Sequence, residues 1–178
     1  MLPPGHLAGG FLAAEALLKI AKPDLPQSQM SRLLVLGAAA GFAPDLDSFW
    51  SFFKEKSFTV RNLEKNDHRM YVSHAPIIWL LAGLAIYFFA TSTFIKYAGL
   101  VIWLSSWSHF LLDSVEHGIM WLWPFSSKRF ALVKSDLTNI TTPGFFGYWM
   151  SHLKKYITKI SFYLEIVIIL SALIIYFK

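Results

Sequence analysis

Residues 97–112 read YAGLVIWLSSWSHFLL and are followed at once by Asp113. The only ionisable side chain in the run is His109, and it stands four residues before Asp113. On a helix that i, i+4 spacing puts an imidazole and a carboxylate on one face. An apolar segment that ends in such a pair poses the question for the whole chain. Ionisable groups at or near membrane depth are costly, and they are retained for function. A buried His–Asp hydrogen-bonded pair is the plainer reading of one such spacing; Ser105 and His117 extend the same stripe.

Four more apolar segments surround this one. Residues 75–90 (APIIWLLAGLAIYFFA) carry no charge, and residues 160–177 carry only Glu165. Residues 7–20 contain Glu15, and residues 33–43 end at Pro44. A span needs roughly 20 residues, so each segment must borrow polar flanks or lie in a thin bilayer. The first two are of re-entrant length, but Pro23 and Pro26 between them mark a turn and suggest a hairpin. The motif Gly37-Ala-Ala-Ala-Gly41 offers a small-residue face for close packing on the first helix. Glu15 is expected to pair inside the bundle with another helix.

Composition agrees with a membrane protein. Of 178 residues, 55% are hydrophobic, 17% aromatic and only 15% charged, against about 25% charged in soluble domains. Mean hydropathy is +0.47 and the pI about 9.4. The net charge of +5 suits loops beside anionic lipid head groups, and nucleic acid is not an expected partner. There is no cysteine, hence no disulfide framework and no thiolate site. The N-terminus lacks the basic region of a signal peptide and is expected to be retained. The chain reads as a single domain over 1–178: an all-α integral membrane bundle of four to five helices. Residues 148–159 (YWMSHLKKYITK) read as an amphipathic helix lying flat at the interface.

Simple alternation of the segments brings their polar ends to one side. His6 opens the first segment, Pro44-Asp45-Leu46-Asp47 closes the second, and His68 and His74 precede the third. His109 and Asp113 close the fourth. The opposite side keeps Lys19, Lys22, Arg32, Lys96 and Lys178, so the polar side holds the other 11 of 16 basic residues. The positive-inside rule then places it in the cytoplasm.

Imidazoles and carboxylates on one face are a hard-to-borderline ligand set that suits zinc or manganese. The expected ligands are His6, Asp45, His74, His109 and Asp113, with His68 and Asp47 in reserve. Capping of a following helix competes for Asp45 and Asp47, and a solvated loop competes for His68. Whichever aspartate is left unbound, Asp47 in the first instance, could serve as general base. His152 stands among lysines and reads as a surface residue. Arg69, Lys128 and Arg129 could ring the pocket and receive an anionic lipid head group. HExxH, P-loop, GxGxxG and GxSxG signatures are all missing from the chain.

The ordered set His6, Pro44-Asp45-Leu46-Asp47, His68-Arg69, Ser73-His74, Ser108-His109…Asp113 and Trp123-Pro124-Phe125-Ser126…Lys128-Arg129-Phe130 resembles the YdjM/YbcI-type inner-membrane proteins of bacteria. The resemblance covers about residues 1–135. It implies an inner-membrane, membrane-bound metal-dependent hydrolase. A more distant similarity is to zinc-dependent phospholipase C and the P1-type nucleases. Those all-α enzymes use His and Asp ligands in an order that His6, Asp45, His74, His109 and Asp113 match. They add a later His-xxx-Glu pair, whereas here His152 is followed at i+4 by Tyr156. The similarity therefore implies one or two divalent ions, with zinc first and manganese next, and a phosphoester or other ester of a lipid or lipid-linked substrate. The alternative from a different class is a non-enzymatic membrane protein whose metal is structural or serves sensing or transport.

Overall fold

A computed structural model describes residues 1–50, 68–133 and 145–178, without the side chains of His68, Phe145 and Tyr148. Most of the charged stretch 54–69 lies outside the described residues, and so does the side chain of His68. Helix α1 runs Pro3–Ala21, α2 Gln27–Phe42, α3 Pro76–Phe89, α4 Thr93–Asp113, α5 Phe145–Tyr156 and α6 Ile160–Tyr176. Short 3-10 turns cover Ala43–Leu46, His68–Met70 and Val72–His74. Among the described residues the regular structure is all helix, joined by turns, with one isolated bridge between Ile119 and Phe130.

Each apolar segment became a helix, and the starts follow proline chemistry. Pro3 and Pro4 sit in the first turn of α1 and Pro76 begins α3, positions where a missing N–H costs nothing. Lys22 closes α1 with φ +44°, its N–H donating to Leu18 O at 2.9 Å. The two segments of re-entrant length are longer than their apolar runs: α1 has 19 residues and α2 has 16. The first turns of α2 are polar (QSQMSR) and mostly exposed, so hydropathy alone began the segment too late.

Helix α4 is central and packs against α1, α2 and α3, while α6 lies against α1. The core between α1, α2 and α4 is Ala14, Leu18, Leu33, Ala98 and Val101, with Phe94 and Tyr97 packed on it. Glycines bring the backbones into contact near the site. A Cβ on Gly10 would stand 2.2 Å from Gly37 O and 2.8 Å from Gly41 Cα, and one on Gly41 would stand 2.4 Å from His6 O. The Gly37–Gly41 face therefore packs on the first helix, as its spacing suggests. Gly83 and Gly99 do the same for α3 and α4.

Glu15 departs from its expectation. Its carboxylate pairs with Lys19 at 3.0 Å, one turn on along the same helix.

Among the described residues no single helix is both long and apolar enough to cross a membrane. Helices α5 and α6 pass that test together, bent by 84° at their junction. Much apolar surface is nonetheless exposed. Tyr163, Val167, Leu170 and Ile174 of α6, with Phe177 just past its end, form one outward stripe, all more than half exposed. Soluble monomers rarely show so large a continuous apolar face.

Candidate metal centre

Four elements deliver the polar cluster to one end of the bundle. The first turn of α1 carries His6, the 3-10 turn after α2 carries Asp45, the turn before α3 carries His74, and the last two turns of α4 carry His109 and Asp113. Pro44 makes the chain tighten after α2 rather than continue as α-helix. That turn presents Asp45 inward.

Two overlapping groups have ligand atoms that all lie within 4.8 Å of one another: Asp45–His74–His109 and His6–His109–Asp113. All five residues are buried. Asp45 Oδ1 lies 3.5 Å from His74 Nε2 and 3.6 Å from His109 Nε2, and its Oδ2 is 3.8 Å from His6 Nε2. The His6 ring stacks on that of His109, with centroids 3.8 Å apart. His6 Nε2 is 3.3 Å from Asp113 Oδ1, but not aligned for a hydrogen bond.

Outer contacts fix which nitrogen faces inward. His109 Nδ1 lies 3.0 Å from the carbonyl oxygen of Gly41. A carbonyl only accepts, so Nδ1 carries the proton and Nε2 turns its lone pair to the cluster. His74 Nδ1 lies 2.8 Å from Asp47 Oδ2, and Ser73 donates its hydroxyl to the same oxygen. Asp47, the spare carboxylate of the sequence reading, thus stands behind the ring of His74. Histidines that bind metals are commonly held this way, by a carbonyl or carboxylate on the far nitrogen.

Burial opposes a charge on His74, but hydrogen bonds to Asp45 and Asp47 outweigh it and raise its pKa above the ordinary histidine value. Asp113 is fully buried between two cations. The Met1 ammonium lies 2.6 Å from Oδ1 and Arg69 Nε lies 2.6 Å from Oδ2.

The cluster fits a metal ion on its own evidence. Both ring nitrogens of His6 and Nε2 of His109 are buried without a hydrogen-bond partner. Each such atom costs about 1–3 kcal/mol when left unsatisfied. Imidazole nitrogens and carboxylate oxygens, with no thiolate, are donors for zinc or manganese.

Other sequence candidates fall elsewhere. Ser105 donates to Gly10 O at 2.9 Å and so ties α4 to α1. His117 follows Asp113 but belongs to neither group; burial, then the charge of Arg69, pushes its pKa well below the usual range. His152 is half-buried against the rings of Trp149 and Tyr156 rather than on the surface, because its face of α5 turns inward between the lysines. The bonds of Arg69 to Asp113 and Asp47 to His74 were not expected from the sequence. The His68-Arg69 and Ser73-His74 dipeptides were its only trace of them.

The model of the YdjM inner membrane protein family matches residues 1–178. No curated protein and no solved structure matches, so the likeness to phospholipase C and P1-type nucleases stands on motif order alone. With the match running the whole length of the chain, the protein belongs to the YdjM inner membrane protein family.

Proposed function

We propose that the protein is a multi-pass membrane hydrolase with a divalent metal, zinc first, held at the cytoplasmic rim of the bundle. The observation that carries this reading is the ligand count. Asp45, His74 and His109 supply three donors, as do His6, His109 and Asp113. Structural zinc sites close with four protein ligands, whereas catalytic ones use three and leave a position for water. His109 has one inward nitrogen and serves one ion. A first ion belongs with Asp45, His74 and His109, and His6 with Asp113 offers a second position.

A bound ion would lower the pKa of its water towards about 7 and polarise a phosphoryl or ester oxygen. The chain's own residues do the rest. Asp47 holds His74 in its productive tautomer, and Gly41 O does the same for His109. Arg69 and the Met1 ammonium neutralise Asp113. In this arrangement Asp47 orients a ligand and is not placed as the general base.

The substrate class follows from location. The family is of the inner membrane, and exposed Lys128 and Arg129 follow the exposed Phe125. Those features favour a lipid or lipid-linked phosphoester, with its head group near Lys128 and Arg129. Arg69 is engaged by Asp113 and acts from within. Helix α5 supports the same plane. Its exposed Phe146, Met150, Leu153 and, just beyond its end, Ile157 fall on one stripe, and the 84° bend from α6 sets that stripe along a plane across the α6 axis. A transport path would put ionisable groups at mid-bilayer. Glu15 is instead paired with Lys19.

A panel of phospholipids, diacylglycerol pyrophosphate and bis-para-nitrophenyl phosphate, with zinc or manganese, tests the activity. Metal-dependent turnover that disappears in His74→Ala supports hydrolysis. No turnover by protein that demonstrably holds metal moves the reading to a structural or sensing site.

Two outcomes are expected short of turnover. Asp47→Asn should weaken zinc binding by about 10–100-fold, the usual cost of losing an outer partner, while the protein stays folded. Competition with a chromophoric chelator measures this. Zinc must also displace the proton that His74 holds. In the metal-free protein the raised pKa of His74 stabilises the fold fully below about pH 6.5, and that contribution is lost as pH rises through the higher folded value. The gain in melting temperature on adding zinc should therefore shrink from about pH 8 to about pH 6, as scanning fluorimetry at several pH values would show.

A further inference from the structure

Glu165 sits in the second turn of the apolar α6 and is only 4% exposed. Its partners all come from outside α6. Gly5 N–H donates to Oε1 at 3.0 Å and Leu2 N–H to Oε2 at 3.4 Å. The Tyr156 hydroxyl, itself buried, donates to Oε2. Helix α1 has no capping side chain of its own, and Pro3 and Pro4 have no N–H to offer. A carboxylate at the positive end of a helix dipole is favourable. The approach is close enough that a Cβ on Gly5 would stand 2.8 Å from Glu165 Cγ.

The next residue after Gly5 is His6. A second tie reaches the other side of the cluster: Ser161, one turn before Glu165, donates to the buried carboxylate of Glu116, three residues past Asp113. One end of α6 thus grips both segments that carry the His6–His109–Asp113 group.

We infer that Glu165, braced by Tyr156, is a positioning residue of the metal centre, holding the first turn of α1 so that His6 meets His109 and Asp113. This rests on the metal-centre reading above. Glu165 touches no ligand atom; it acts through the backbone of Gly5 and Leu2. Its place in an apolar helix is explained without a transport path.

Cobalt(II) titration of the full-length protein in detergent tests it, read by affinity and by the visible ligand-field spectrum. Glu165→Ala should weaken cobalt binding by about 10–100-fold and alter the spectrum. Glu165→Gln, which keeps an acceptor for Gly5 N–H, should recover much of both. Tyr156→Phe should lose less than Glu165→Ala. Gly83→Ala, which strains the α3–α4 contact away from α6, serves as a variant destabilised for another reason and should keep the wild-type spectrum. Wild-type affinity and spectrum in folded Glu165→Ala would overturn the inference, even with a lowered melting temperature. If that variant does not fold, Glu165→Asp takes its place, its shorter side chain withdrawing the carboxylate from Gly5 N–H, and wild-type affinity and spectrum in Glu165→Asp overturn the inference. A wild-type protein that takes up no cobalt overturns the metal-centre reading itself, and is told apart because the parent fails along with the variants.

Discussion

His109→Ala should strip the protein of its metal. His109 belongs to both three-donor groups, and each is left with two donors when it is lost. The effect should exceed the roughly 10–100-fold cost of an outer-partner change and read as near-zero metal after purification. The side chain is fully buried, so truncation also removes the surface on which His6 stacks and the bond to Gly41 O. His109→Gln separates the two effects. It fills much of the space but is a poor zinc donor, so it should stay folded and lose metal. Full metal content in both variants would show that His109 is a packed helix-end histidine and nothing more.

Gly10→Ala should be the most damaging small substitution in the helices. The added Cβ would stand 2.2 Å from Gly37 O and 2.8 Å from Gly41 Cα. Both are backbone atoms and cannot rotate away, so α1 and α2 must separate. Overpacking costs about 1–3 kcal/mol, and here the upper end is expected. The displacement also moves His6, one turn earlier on α1, away from Asp113. Both melting temperature and metal affinity should therefore fall. Gly9→Ala is the matched control. Its Cβ would stand 2.8 Å from Leu112 Cδ1, the far end of a flexible side chain, and at ordinary contact, 3.5 Å, from Ser108 Oγ, so its melting temperature should stay close to wild type. Equal stability of the two variants would mean that the backbones are not in contact as described.

The five helices drawn from apolar segments, and the His/Asp cluster at their ends, were legible for one reason. An apolar run interrupted by His or Asp at its boundary is rare, and alternation alone sends those boundaries to one side. The proximity of Asp45, His74 and His109 follows from that geometry. The contacts made by one carboxylate rather than another were not legible. Glu15 and Glu165 look alike in the sequence, each alone in an apolar run. The lysine at i+4 claims Glu15, a local fact. Glu165 is claimed by α1, 160 positions away, and no local pattern encodes that. Asp45 and Asp47 are two residues apart in a turn, and only the tertiary position of His74 decides that Asp45 faces the cluster while Asp47 binds the outer nitrogen. The polar start of α2 was missed because four of its first six residues are exposed, and exposed helix positions need no apolar side chain.

The most direct test of the central claim is X-ray absorption at the metal edge on the purified wild-type protein, with metal content measured on the same sample. At least one zinc or manganese per chain is expected, in a shell of nitrogen and oxygen only. For zinc the distances should be about 2.0–2.2 Å, with the outer-shell scattering of at least two imidazoles. A protein that purifies without stoichiometric metal and takes up none on addition, or a shell without imidazole, would contradict it.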